Sequence, residues 1–225
     1  MKNEEYLKKL ENVIKQMLQP LKDIPFNLVI EAMTGKKVLP FDFKNQEHEK
    51  LLALLKNAAL NAGKEINKLG ILRSRPNEVG NDIENYVRKA LNSLGLKADI
   101  PIGLRGNKKA TGYPDILFWY NNIPYYLECK TYNIENIATT QRSFYFSPSD
   151  EFKVSYDTIH FMLSFEIYIA GEKEGKHIYK CKSYKILSLE SLSVDVKYEF
   201  NSDNQRLYSG NDGAVILAEG KIEDN

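Results

Sequence analysis

Through the first third of the chain, apolar residues recur at helical spacing. Tyr6, Leu10, Val13, Ile14 and Met17 share a face with lysines and glutamates between them, which predicts a helix. Pro20 and Pro25 interrupt that pattern, and Ile24 to Met33 predicts a short second helix ended at Gly35. A third helix is predicted from about Glu47 to Lys68, carrying Leu51, Leu52, Leu54, Leu55, Ala58 and Ala59. Arg73 to Gly80 reads as a joint punctuated by proline and glycine. Asn81 to Leu94 predicts a further amphipathic helix, with Ile83, Val87, Leu91 and Leu94 as its apolar stripe. Beyond Gly95 the pattern changes to short apolar and aromatic runs separated by turn residues. Strands are predicted at Ala98–Ile102, Asp115–Tyr120, Ile123–Tyr132, Ile159–Ile169, Ile178–Tyr184 and Val194–Phe200. The expected class is α/β (α+β): an N-terminal helical region over residues 1–70, then residues 71–225 with a central mixed sheet flanked by helices.

Composition narrows the possibilities. The chain has 225 residues, 43% of them hydrophobic and 27% charged, which excludes a disordered or collagen-like chain. Lys and Arg number 31 against 30 Asp and Glu, a net charge of +1, so a uniformly basic coat is excluded. A local basic face is not. Residues 71–113 carry a balance of +4 and residues 199–225 a balance of −4. Two cysteines, Cys129 and Cys181, are too few for a disulfide scaffold or a four-cysteine metal site. The three histidines, His48, His160 and His177, have no close partner at metal-ligand spacing, and His160 reads as a core histidine. The charged start is unlike a signal peptide, and no run of about 18 uncharged apolar residues appears. No membrane role is expected; the chain reads as soluble and cytoplasmic.

The chemistry concentrates in one hairpin. Gly112-Tyr113-Pro114-Asp115 leads a strand to Tyr120, Asn121-Asn122 suits a tight turn, and Ile123 to Lys130 returns. Alternation puts Leu127 and Cys129 on one face and Glu128 and Lys130 on the other, with Asp115 at the head of the partner strand. Two hard carboxylates can hold Mg²⁺, and a nearby lysine can orient water or offset developing negative charge. The tripeptide Asp/Glu-x-Lys is worth little alone: chance gives about three, and matches begin at Asp42, Glu151, Glu174, Asp195 and Glu219 as well as Glu128. Context separates Glu128, which lies late in an apolar strand, 13 residues after the only Pro-Asp in the chain.

Pro114-Asp115, twelve residues, then Glu128-Cys129-Lys130 resembles the PD-(D/E)XK nuclease superfamily, which includes most type II restriction endonucleases. The segment Asn77 to Glu84 is similar to the glutamate-bearing helix that precedes the sheet in many of them, and Gln141 to Ser147 has their flavour. The likeness spans roughly residues 76–165 and implies a restriction-endonuclease-like core. It implies Asp115 and Glu128 as metal ligands, Lys130 as the catalytic lysine and Glu84 as an accessory acid. Asn81 and Glu84 also fit a capping-box-like pair, and Glu84–Arg88 an i,i+4 ion pair.

DNA contacts are expected from Asn81, from the basic loop carrying Arg105, Lys108, Lys109, Thr111 and Tyr113, and from Gln141, Arg142 and Ser147. The function implied is Mg²⁺-dependent, site-specific cleavage of double-stranded DNA leaving 5′-phosphate ends. A homodimer matched to a palindrome is expected, with a cognate methyltransferase acting on the same site. Residues 1–70 are candidates for dimerisation or a DNA clamp. The alternatives are a structure-specific repair or recombination nuclease of the same superfamily, or a DNA-binding protein without activity.

Overall fold

A computed structural model describes residues 2–19, 21–103, 105–106, 112–133, 135, 144, 146, 151–196 and 215. The chain divides into two compact units, Ile24–Val194 and one made of Met1–Asp23 with Asp195–Asn225. In the smaller unit, helix α1 (Lys2–Met17) carries i,i+4 ion pairs Lys9–Glu5 and Lys15–Glu11. Tyr6, Leu7, Leu10 and Val13 on α1 are exposed.

The larger unit holds β1 (Ile24–Pro25), α2 (Phe26–Thr34), α3 (Gln46–Leu69), β2 (Ile71–Arg73), α4 (Pro76–Ser93) and β3 (Lys97–Asp99). It continues with β4 (Ile116–Tyr120), β5 (Ile123–Tyr132), β6 (His160–Lys173), β7 (Lys176–Ser188) and β8 (Ser193–Val194). Six strands form one mixed sheet in the order β2-β7-β6-β5-β4-β3, antiparallel except for the parallel pair β5·β6. β1 and β8 make a separate antiparallel pair. The α/β class with a mixed, helix-flanked sheet is as expected.

The sheet separates two cores. Tyr125, Leu127 and Cys129 of β5 pack in the larger core with Leu51, Leu55 and Ala59 of α3 and Ile83, Val87 and Leu91 of α4. Tyr126, one position over, turns the other way into a smaller core with Phe26 and Ile30 of α2, Val38, Val154 and Leu189. Strand alternation thereby gives β5 two buried faces, and the face of Tyr126 is also that of Glu128 and Lys130.

Some boundaries move. α4 starts at Pro76 rather than Asn81, because proline suits the first helical position and the Glu78 carboxylate accepts the Arg75 N–H at 3.4 Å. The capping pair expected of Asn81 and Glu84 is thus overturned: both lie inside the helix. Ile24 and Pro25 leave the expected second helix and pair with Val194 and Ser193. β2 escaped prediction, since three residues are too few to show alternation. Of the strand expected at 194–200, residues 197–200 lie outside the described residues. Among the described residues, no helix is long and apolar enough to cross a membrane.

Candidate active site

The hairpin turn between β4 and β5 is made by Asn121 and Asn122, both at positive φ (49° and 62°), the geometry that a two-residue turn requires. That turn sets the register: Ile116 pairs with Leu127, so Asp115 stands beside Glu128 at the open end of the hairpin. Asp115 is anchored there, its Oδ2 accepting the Cys129 N–H at 2.8 Å.

Glu128 is 3% exposed. Its Oε1 accepts from Lys130 Nζ at 2.5 Å, and its Oε2 has no hydrogen-bond partner. Burial raises the Glu128 carboxyl above the ordinary range and Asp115 raises it further, while Lys130 pulls it back. Burial alone would depress the Lys130 ammonium, but Glu128 and Asp115 outweigh it and hold the lysine protonated. Glu84 reaches the same place from α4. Its carboxyl is pushed up to about 7, chiefly by burial and then by Asp115, and opposed by Lys130, Lys153 and Arg88. Asp115 thus raises both Glu84 and Glu128, and Lys130 opposes it at both.

The donors suit a hard cation. A buried carboxylate oxygen without a partner, next to a second carboxylate, is an oxygen site of the kind Mg²⁺ takes, and Mg²⁺ completes its shell with water and phosphate. Among the described residues, no three His, Cys, Asp or Glu side chains gather closely enough to enclose a metal unaided. An open shell of two carboxylates is consistent with that.

The other expected site residues are scattered. Asn81 is exposed and lines a cleft between α3, β2 and α4 together with Asn85, Lys64 and Lys89. Arg88 bonds Asn85 Oδ1 at 3.3 Å instead of pairing with Glu84. Arg105 is exposed and pairs with Glu151 at 2.6 Å. Tyr113 is half-buried; its hydroxyl shares a hydrogen bond with His160 Nδ1 at 2.6 Å, and its ring packs edge-on to Phe26. Lys108, Lys109, Thr111, Gln141, Arg142 and Ser147 lie outside the described residues. Cys129 is 3% exposed and its thiol is raised well above the usual range by burial, so it does not act as a nucleophile.

Two features went unread in the sequence. Lys153 is 2% exposed, and its charge falls on both Glu84 and Glu128. Its signal was a lone lysine between Phe152 and Val154, in a run leading into a strand. His160 is fully buried as expected, yet it also tethers Tyr113, two residues before Asp115.

Over residues 6–211 the sequence matches the type II restriction enzyme MjaV family. The chain belongs to that family. The type II restriction enzyme MjaV of Methanocaldococcus jannaschii is 38% identical over 224 residues, covering 92% of this chain and 95% of its own length. No solved structure matches. Membership in the MjaV family makes the protein a type II restriction endonuclease, a site-specific DNA nuclease of a restriction system. The restriction reading of the chain stands, and family membership sets it ahead of the repair-nuclease and non-catalytic readings.

Proposed function

We propose that this enzyme hydrolyses double-stranded DNA with Mg²⁺ held by Asp115 and Glu128, assisted by Lys130, with Glu84 as an accessory acid. The observation that carries the reading is the buried Glu128, with one oxygen on Lys130, the other without a partner, and Asp115 alongside. When bound, a divalent ion supplies polarisation of the phosphoryl group and activation of water. Lys130, with its side chain 25% exposed, keeps a charged ammonium at the mouth of the hairpin, where it offsets negative charge building on phosphoryl oxygens. Glu84, with its carboxyl near neutrality, is suited to take or give a proton at the attacking or departing oxygen. The Cys129 N–H fixes the Asp115 carboxylate, so that ligand does not wander.

By resemblance, the products carry 5′-phosphate ends. The enzyme works in the cytoplasm as a homodimer on a symmetric site, with residues 1–70 contributing to dimerisation or to a clamp, and a methyltransferase protects the same site. Asn81, Arg105 and the segments 108–111 and 141–147 supply the DNA contacts.

The test is incubation with long unmethylated DNA, with and without Mg²⁺, beside the Lys130→Ala variant. Sharp bands that need Mg²⁺ and fade at least a hundredfold in the variant are expected, since removing a transition-state cation costs about 10²–10³ in rate. Cleavage that persists unchanged in Lys130→Ala would move the chemistry away from this hairpin.

A further inference from the structure

The face of the sheet that carries Glu128 and Lys130 continues sideways beyond β5. Lys130 pairs with Ser164 of β6, and Ser164 pairs with Lys185 of β7. Two residues further along β5, Tyr132 pairs with Glu166, and Glu166 pairs with Ser183. Paired residues on neighbouring strands point to the same face, so both rows share a face with the candidate site. The side-chain contacts agree. Ser183 Oγ donates to Glu166 Oε2 at 2.6 Å, and the Tyr132 hydroxyl lies 3.3 Å from Ser183 Oγ. Lys185 Nζ stands 5.0 Å from the centroid of the Tyr132 ring. Neighbouring strands lie about 4.8 Å apart, which puts the backbone of Lys185 roughly 10 Å from that of Lys130.

These rows present positive charge to solvent. Lys185 and Ser183 are exposed, and Lys130 and Tyr132 are half-buried. The one acid in the two rows, Glu166, is 9% exposed and already engaged, by Ser183 on one oxygen and by Lys182 Nζ at 3.4 Å on the other. Lys182 is thereby committed within the protein. Lys185 is different: among the described residues it makes no ion pair, and its ammonium rests over the face of Tyr132. An aromatic face attracts a cation and fixes its position without neutralising it. A placed, uncompensated charge therefore stands on the same face as the candidate site, two strands from Lys130.

We propose that Lys185, held over Tyr132, is a contact to the DNA backbone, receiving a phosphate that neighbours the one at the hairpin. This rests on the nuclease reading above and deepens it. A phosphodiester backbone is a line of negative charges, and a protein that follows it needs cations not already paired within the fold. Lys130 and Lys185 supply two such points on one sheet, and the Tyr132 ring settles where the flexible Lys185 side chain puts its charge. Contacts of this kind carry no sequence information. They set the position of the duplex, here against Asp115 and Glu128.

The experiment measures binding of a fluorescein-labelled DNA duplex of mixed sequence, without divalent ion, across a salt series. It compares wild type with Lys185→Gln, Lys185→Arg, Tyr132→Phe and Tyr132→Leu. Lys97→Gln, which changes an exposed lysine of the far edge strand β3, is the control. Lys185→Gln is expected to weaken binding and to reduce the slope of log K against log salt by about 1, the loss of one phosphate contact. Lys185→Arg is expected to keep the wild-type slope. Tyr132→Phe keeps the ring and is expected to bind as wild type, whereas Tyr132→Leu is expected to weaken binding as Lys185→Gln does. An unchanged slope in Lys185→Gln would overturn the proposal. So would an equal drop in Lys97→Gln, which marks diffuse charge instead of a contact. Melting curves of each variant check the fold; if Tyr132→Leu does not fold, the slopes of the two Lys185 variants decide. A wild type that neither binds the duplex nor cuts unmethylated DNA with Mg²⁺ would sink the nuclease reading itself. A wild type that does both, beside an unaltered Lys185→Gln, sinks only the role of Lys185.

Discussion

The site's character is set by where single charges are buried. Glu84 and Glu128 both carry carboxyls raised by burial, and Asp115 raises them further. A carboxyl whose value is raised on folding binds more protons folded than unfolded, so its contribution to stability falls as pH rises. For Glu84 that window runs from the ordinary 4.5 to about 7. Above it the ionised carboxylates are ready for a cation; below it protons compete. Thermal stabilisation by Mg²⁺ is accordingly expected to be small at pH 5.5 and to grow toward pH 8. An ion at a hundred times its Kd adds about 2.7 kcal/mol, roughly 5–10 °C for a chain of this size. A gain that does not vary with pH would contradict the ionisation of these groups. His160 titrates in the opposite sense. Burial holds it down to about 3, so the stability it contributes is full above 6.5 and is lost as pH falls from 6.5 toward 3. Its Nδ1 is satisfied by Tyr113 while its Nε2 has no partner. Tyr113→Phe is expected to cost about 1–3 kcal/mol in a urea melt by orphaning that nitrogen too.

Between elements, packing of α3 and α4 on the sheet decides how accurately Glu84 meets the hairpin. Leu91 of α4 is fully buried, and Leu91→Ala is expected to cost about 2–5 kcal/mol by opening a cavity. The turn from α3 into β2 depends on Gly70, at φ 69°, where an added Cβ would stand 2.4 Å from Ile178 Cγ2. Gly70→Ala is expected to destabilise by more than about 1 kcal/mol, read from the same melts. Legibility differed from element to element for physical reasons. α3 was readable because 24 residues display their periodicity, and the β4–β5 hairpin because two asparagines tolerate positive φ. β1 and β2 were hidden, being two and three residues held by partners remote in sequence. The early start of α4 was masked by Pro76, which breaks a helix interior but favours a first turn.

For the whole molecule, cutting both strands of a symmetric site calls for two-fold symmetry in the protein. Sedimentation is expected to give a dimer of the 25.9 kDa chain, at least on cognate DNA; a monomer that cuts both strands in one encounter would count against it. The sequence by itself determined the class of fold and the juxtaposition at the heart of the proposed site, because Asp115, Glu128 and Lys130 lie on one hairpin whose register follows from local turn chemistry and strand alternation. It could not rank Glu151-Phe152-Lys153, which reads as one more chance Asp/Glu-x-Lys. Only the tertiary structure separates that pair, sending Glu151 to Arg105 and burying Lys153 against the face of Glu128. Glu84 was joined to Asp115 only through the family resemblance, and His160 was visible as a residue but not as a neighbour of Tyr113. Periodicity specifies which face of an element a side chain takes; which other face it meets is decided by helix-on-sheet packing and by the parallel β5–β6 crossover, whose pairings span dozens of residues and leave no local trace.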